Sequence, residues 1–582
     1  MSLPLRDYYR LLERYLRPQS RMVGLLALCI FAGVGFQLLL PQIVRAFIDI
    51  AQRGASTAVL LRTGLLYLVV TLINQAVRLA AAYLTEDVKW RATNWLRNDL
   101  AAHCMRLDMS FHHDQTPGAM IERIDTDVNK LSEFFSQLVL RLFANGLLMI
   151  GVLVMLALVD WRIGLAFACS SIFTFAVLIL TVRLGAGYFV KEREAAAHLY
   201  GGLEEWLAGT EDIRASGGVD YVLDRMRRFV YSVHVASRRA YAMGTLNWGV
   251  TSFLFAVNLA LALSLGVVFL DAGLITIGTV YLIVSYSNTL QRPVTQLARQ
   301  FQDMQAATAS IMRIRELFDL QPSVNSPTAP AHAALGALSV TFDGVSFGYA
   351  SDTPVLREVD FQLNAGKVLG LLGRTGSGKT TITRLLFRFY DPEQGAICLG
   401  GHDLRTLALD DVRRSVGMVT QDVQIFQASV RDNLTFFNPT IPDEAIVEAL
   451  HTLGLTRWYN ALPHGLDTRL DSGGRSLSAG EAQLLAFTRV LLKNPGLVIL
   501  DEASSRLDPV TEHLIEEAID RLLQGRTAII VAHRLATVQR ADQILVLGDG
   551  QVLEAGDRLA LIAEPDSRFS QLLRTGMAEV LV

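Results

Sequence analysis

Six long stretches of this chain contain no Asp, Glu, Lys or Arg, and all of them end before about residue 300. They are Met22–Val44, Thr63–Val77, Leu142–Val159, Ile163–Val182, Ala240–Leu270 and Ala272–Gln291, the second continuing past Arg78 to Thr85. Few structures accept such runs. In hydrocarbon no peptide N–H or C=O can go unpaired, and a helix that crosses it needs ~20 apolar residues. Buried helices of a soluble protein are the alternative, but several of these runs reach span length. The stretches therefore predict an all-α six-helix transmembrane domain over 22–320, with spans near 20–47, 58–85, 135–159, 163–183, 243–270 and 273–297. The whole chain of 582 residues is 51% hydrophobic and 19% charged, with a net charge of -3, which excludes a disordered tail or a partner made of nucleic acid.

Lys and Arg set the orientation. Residues 78–141 carry eight of them and residues 183–239 carry nine, whereas the opposite loops shrink to Asp160-Trp161-Arg162 and the surroundings of Asp271. The basic linkers and both termini are expected in the cytoplasm. Residues 1–21, with Arg6, Arg10, Arg14, Arg17 and Arg21, read as an interfacial elbow helix, and Met22–Val44 is too long for a cleaved signal. Both basic linkers are rich in Ala, Leu, Glu and Arg, and predict long cytoplasmic helical extensions. Each breaks once, at His113–Gly118 and at Ala215–Gly218. The four cysteines are scattered without metal or disulfide spacing and read as packing residues.

From Pro322 the pattern changes. Residues 321–338 are a linker by composition, and 339–582 alternate short apolar runs with helical stretches, an α/β pattern. Gly373-Arg374-Thr375-Gly376-Ser377-Gly378-Lys379-Thr380 fits G-x-x-x-x-G-K-[ST], with the apolar run Val368–Leu372 before it and a helical run from Thr381 after it. Such glycines let backbone N–H groups curl around phosphate oxygens at a helix N-terminus. Lys379 is expected to reach the β- and γ-phosphates and Thr380 to ligate Mg²⁺. Leu497–Leu500 ends in Asp501 and Glu502: an Asp at a strand end holds Mg²⁺, and Glu502 is placed to polarise the attacking water. The runs Val416–Thr420 and Thr527–Ala532 end likewise in Gln421 and His533. Polar groups at the ends of parallel strands suit a phosphate-transfer site.

Together with Leu477-Ser478-Ala479-Gly480-Glu481, which looks like the signature sequence LSGGQ, these motifs resemble the ATP-binding cassette (ABC) family over about 340–575. The six spans and the segment Ser110–Gly118 extend the resemblance to an exporter-type half-transporter. The resemblance implies a P-loop ABC ATPase domain behind the membrane domain, with ATP and Mg²⁺ as its cofactors. It implies that Tyr349 stacks on adenine and that Gly373–Thr381 hold the phosphates. Gln421 and His533 sense the γ-phosphate, Thr380, Gln421 and Asp501 serve the metal, and Glu502 acts as general base with Gln421 and His533. Ser478, Gly480, Glu481 and the D-loop Asp508 face the ATP of a partner cassette. Coupling helices are implied near Asp114–Met120 and Gly218–Met226.

One cassette and six spans are half of such a machine, so a second half-transporter is required. The signature departs from LSGGQ at Ala479 and Glu481, and Arg506 stands where Ala is common, while the P-loop, Asp501, Glu502 and His533 are intact. That asymmetry resembles one member of a heterodimeric exporter, with a homodimer tolerating drift as the alternative. The implied function is ATP-driven export of a small hydrophobic or amphipathic substrate (drug, lipid or peptide) across a lipid membrane, of the bacterial inner-membrane kind. An exporter-fold importer and a gated or regulatory subunit are the other readings. Polar residues within the spans, among them Arg45, Asn74, Arg78, Asn145, Asn247, Asn258 and Ser287, either line a pathway or bond between helices.

Overall fold

The computed structural model describes residues 13–134, 142–332, 336–350, 353–420, 422–471, 477–501, 509–532 and 538–574. It divides into two units, Met1–Met105 with Thr116–Leu320, and Arg106–Gln115 with Gln321–Val582.

The first unit is helical. Its long helices are α1 (Ser20–Gln52) and α2 (Thr57–Cys104). The second unit's short α3 (Met109–Asp114) interrupts the order, followed by α4 (Pro117–Ile121), a π-helical turn at Glu122–Asp127 and α5 (Val128–Phe134). Then come α6 (Phe143–Val159), α7 (Trp161–Ala208), α8 (Thr210–Ala215), α9 (Val219–Asp271) and α10 (Ile277–Asp319). Among the described residues four helices are long and apolar enough to cross a membrane, over Glu13–Gln52, Thr57–Cys104, Trp161–Ala208 and Val219–Asp271. The apolar α6 has 17 residues, and the expected span start at 135 lies outside the described residues, as do residues 1–12 of the elbow. In α10 the apolar run is diluted by Ser285, Ser287, Asn288 and Arg292.

At 1.5 Å per residue, helices of 48 and 53 residues measure roughly 70–80 Å, more than twice a hydrocarbon core of ~30 Å. Their excess is the helical extension that the basic linkers predict. The second break carries its separate short helix at Thr210–Ala215, and the expected coupling residues Gly218–Met226 are instead mostly the opening turns of α9. Gly217, with φ +67°, reverses the chain there.

Two kinds of surface distinguish this unit. Leu61, Leu65, Leu72, Leu79 and Tyr83 stand exposed along α2, an apolar surface that water does not tolerate and lipid does. Inside, Val152, Leu156, Ile163, Phe167, Ala262, Leu282 and Tyr286 pack α6, α7, α9 and α10 together with almost no exposure. The span polar residues join helices: Asn258 accepts from Ser170 Oγ at 2.5 Å and donates to Thr174 Oγ1 at 3.3 Å, and Asn247 accepts from Thr181 at 2.7 Å. Asn145 donates to Gln296 at 2.6 Å. These amides act as interhelical glue.

The second unit has two sheets. An antiparallel one orders β2 (Thr353–Leu363), β1 (Val340–Ala350), β4 (Gln394–Leu399) and β5 (His402–Asp403). The six-stranded one orders β10 (Gln551–Asp557), β9 (Gln543–Gly548), β3 (Val368–Gly373), β8 (Thr527–Val531), β7 (Leu497–Asp501) and β6 (Val416–Val419), with all but β10 parallel. The near-continuous Val/Ile/Leu content of β7 and β8 reflects burial on both faces. Described residues of the stretch read as a linker by composition bond to this unit: Ala331 bridges Leu407, and Ser326 accepts from the Leu409 N–H at 3.0 Å. Asp108, just before α3, accepts from the Ser323 and Val324 N–H groups. The first linker's tip thus clusters with this unit.

The first unit holds one buried ion pair of note. Asp127, 2% exposed, accepts from Ser310 at 2.9 Å and from Arg313 Nε at 2.8 Å, with a second bond from Arg313 Nη2. Burial opposes the ionised form, but the Arg313 and Ser310 bonds outweigh it and hold the carboxyl below the ordinary 3.8. Asp127→Ala is expected to cost about 1–3 kcal/mol, moderated because Arg313 is partly exposed, and to lower the thermal midpoint of the purified chain. A depressed carboxylate stabilises fully above the unfolded pKa and loses that contribution as pH falls through the folded one. The gap between wild type and variant should therefore be complete at neutral pH and close below about pH 4.

Candidate functional site

Parallel register brings the expected chemistry to one edge of the large sheet. Leu371 of β3 pairs with Val531 of β8, Val531 pairs with Asp501 of β7, and Leu500 pairs with Val419 of β6. Four strands therefore end side by side, at Gly373, Val531, Asp501 and Val419. Gln421, Glu502, Asp508 and His533 follow these ends in sequence but lie outside the described residues.

The loop after β3 is built by its glycines. Gly373 has φ +153°, and a Cβ there would sit 2.5 Å from the Leu547 carbonyl oxygen; Gly378 has φ +107°, and a Cβ would sit 2.5 Å from Leu356 Cδ2. Only glycine lets the backbone turn so tightly against β9 and β2. Helix α11 (Lys379–Leu386) starts at the loop's end, so its free N–H groups and positive dipole end face the same space. Lys379 is buried and donates to the carbonyls of Gly373 and Arg374 at 2.6 and 3.0 Å, folded within the loop's curl. Ser377, 4% exposed, has a hydroxyl without a partner. Arg374, Thr375, Gly376 and Thr380 are exposed. A cavity of about 740 Å³, lined by Gly373–Ser377, Asp549 and Arg568 among others, opens against the loop. A glycine curl, an unpartnered buried hydroxyl and a helix start fit a phosphate chain.

Tyr349 ends β1 and is 43% exposed. Its hydroxyl is 3.2 Å from Thr381 Oγ1 and accepts from Arg384 Nη1 at 3.0 Å, and the Arg384 guanidinium lies 5.6 Å from the ring centroid. Tyr390 meets the ring edge-on. Arg384 and Tyr390 thus hold the expected adenine-stacking ring in place. Neither carries a motif, and the available hint was Arg384 one helical turn beyond Thr380.

Ser478 and Glu481 open α12 (Ala479–Lys493) with a reciprocal capping box. Ser478 Oγ accepts from the Glu481 N–H at 3.2 Å, while the Glu481 carboxylate accepts from the Ser478 N–H at 2.7 Å and from its hydroxyl at 2.9 Å. Gly480 faces α13 (Pro509–Leu523), where a Cβ would sit 2.0 Å from Thr511 Cγ2. Deeper in α12, Arg489 donates to the carbonyls of Asn433 and Gln424 at 2.7 and 2.9 Å. Burial alone lowers its guanidinium to about 10. This buried cation ties the signature helix to the segment following Gln421, a link that no motif announces.

Two family models match the chain, "ABC transporter transmembrane region" at residues 23–294 and "ABC transporter" at 356–505. The chain is 30% identical over 468 residues to a Mycobacterium tuberculosis fatty acid ABC transporter ATP-binding/permease protein, covering 80% of this chain and 74% of that one. The chain belongs to the ABC transporter family. It is also 28% identical over 574 residues to the ATP-dependent lipid A-core flippase of Alcanivorax borkumensis, covering 98% of both. The fold of this ABC transporter is similar to that of a bacterial Atm1-family ABC exporter solved with ATP bound, with a TM-score of 0.79, 24% identity, and 96% and 98% of the two chains covered. The chain is an exporter-type half-transporter, a multi-pass membrane protein whose ATPase domain binds ATP and drives transport.

The Gly480 contact gives a direct test. Gly480→Ala is expected to cost about 1–3 kcal/mol by overpacking and to lower the thermal midpoint, because β-branched Thr511 has little rotamer freedom. Adding Thr511→Ser removes the colliding methyl and should recover most of the loss.

Proposed function

We propose that two half-transporters, this chain and a non-identical partner, export a lipid or other amphipathic compound from the cytoplasmic side of a bacterial inner membrane. The observation that carries the reading is a P-loop and an aligned strand-end Asp501 in one chain with long helices whose apolar sides are exposed. Relatives named as a lipid A-core flippase and a fatty acid transporter support a lipidic substrate. The eight and nine basic residues of the two linkers support cytoplasmic termini and six crossings.

Each ATP would lie between one chain's P-loop and the other chain's signature. Tyr349 stacks on the adenine, and backbone N–H groups of Gly373–Thr381 with Lys379 bind the phosphates. Thr380, Gln421 and Asp501, an all-oxygen set suited to a hard cation, would hold Mg²⁺, which neutralises charge on the transferring phosphate. Closure follows from ATP binding more tightly to the closed pair than to the open one. Glu502 then takes a proton from water attacking the γ-phosphorus, with His533 and Gln421 aligning it. Loss of the bridging γ-phosphate lets the pair reopen. In an unequal dimer the competent site would pair this chain's P-loop and Glu502 with the partner's signature.

Glu502→Gln should keep ATP affinity near wild type, lower turnover by at least ~100-fold and trap a closed dimer. Nucleotide retention on gel filtration and ATPase rates measure both, and unchanged turnover would remove Glu502 from its role. Purified alone, the chain is expected to show little ATPase activity; a stable homodimer with brisk turnover would refute the unequal dimer.

A further inference from the structure

We infer that Arg388 is a positioning residue that ties the phosphate-binding helix α11 to the two strands of chain leading back to α2 and α10. The inference rests on ATP binding at the Gly373–Thr381 loop and goes beyond it. Arg388 stands two residues past the end of α11, with φ +50°. Its N–H donates to the Leu385 carbonyl at 2.9 Å, and the next N–H, of Phe389, donates to the Arg384 carbonyl at 3.1 Å. This left-handed turn closes the helix, and glycine is the residue that favours it. What arginine contributes there is its side chain, which is buried. The guanidinium pairs with the Asp391 carboxylate at 2.9 and 3.3 Å. It also donates to the Leu407 carbonyl at 3.4 Å and to the Asn325 carbonyl at 3.2 Å.

Asn325 belongs to the stretch that follows α10. Just before it, the Ser323 and Val324 N–H groups donate to Asp108, which follows α2, at 2.6 and 3.4 Å. Beyond it, Ala331 bridges Leu407, the residue whose carbonyl Arg388 also holds. The strap from Ser323 to Ala331 is thus fastened to Asp108 on one side and to Arg388 on the other. The chain passes between the two units at 105–106, 115–116 and 320–321. In the first unit the same two strands are already joined. His103, in the last turn of α2, donates from Nε2 to the Leu317 carbonyl of α10 at 2.9 Å, and its ring lies 5.5 Å from that of Phe318. One staple therefore precedes the crossing and another follows it. A displacement of α11 on phosphate binding passes through Arg388 and Asn325 to Ser323 and Asp108, and reaches α2 and α10 together. A buried guanidinium resists slipping past its partners, because each bond lost leaves charge unpaired.

The test is hydrogen–deuterium exchange of the full chain in lipid nanodiscs, with Mg²⁺ and a non-hydrolysable ATP analogue. In wild type the nucleotide is expected to slow exchange about tenfold at 373–381 and also in the last turns of α2 and α10, a factor usual for coupling between sites. Arg388→Gly keeps the left-handed turn and loses the guanidinium. Asp108→Ala, at a half-buried position, loosens the strap from the other side. Either variant should bind the analogue within about threefold of wild type and still protect 373–381, while the slowing in α2 and α10 falls below about twofold. If Arg388→Gly does not fold, Asp108→Ala decides alone. A variant that raises exchange in α2 and α10 equally with and without nucleotide has only a structural role, and overturns the inference. So does a variant that keeps the wild-type slowing, or a wild type with 373–381 protected and no slowing in α2 and α10. Absence of protection at 373–381 itself overturns nucleotide binding at the loop, and this inference with it.

Discussion

Peptide groups must be hydrogen-bonded, and in hydrocarbon, where water supplies no partners, a helix supplies them from within its own segment. That requirement shapes the membrane half of this ABC transporter. Each charge-free run becomes a helix, and because the flanking sequence also favours helix, α7 and α9 continue far beyond a membrane's thickness. With the backbone satisfied, side chains decide the packing. Leucines remain on the outside of α2, while asparagine, serine and threonine pairs join α7 to α9. Polarity inside the bundle is used for helix recognition.

In the ATPase half the corresponding constraint is register. Five parallel strands present their ends together, so residues more than a hundred positions apart in sequence meet at one edge. The P-loop adds a turn that only glycine can make, followed at once by a helix start. At that edge the helix start adds its positive dipole end to the charge of Lys379. Arg489 shows the price of coordination within the domain: a guanidinium buried among neutral carbonyls, held because it joins the signature helix to the segment beyond β6.

The capping box at Ser478 shows how local chemistry fixes the start of the signature helix. At position three of a helix either Glu or Gln can close such a box, and Glu adds the attraction of a carboxylate to the helix start.

Much of this was legible in the residues. Lengths of charge-free sequence predicted the long helices, and the motif Gly373–Thr380 predicted a strand, a glycine turn and a helix in that order, because each depends on local chemistry. The composition of 321–338 marked a linker, and within it Ala331 and Ser326 bond to the segment around Leu407: proline disfavours regular structure without forbidding contact. The second coupling helix was expected at Gly218–Met226, but the separate turn is Thr210–Ala215, since helix breaks are set by backbone torsion at Gly209 and Gly217. By itself, then, the sequence determined the membrane-spanning character and the phosphate loop, through the length of its charge-free runs and covalent conformational limits. Only the tertiary structure decided that Asp127 would pair with Arg313, that Arg384 would brace Tyr349 and that Arg489 would reach Asn433, because packing alone brings such distant residues within bonding distance.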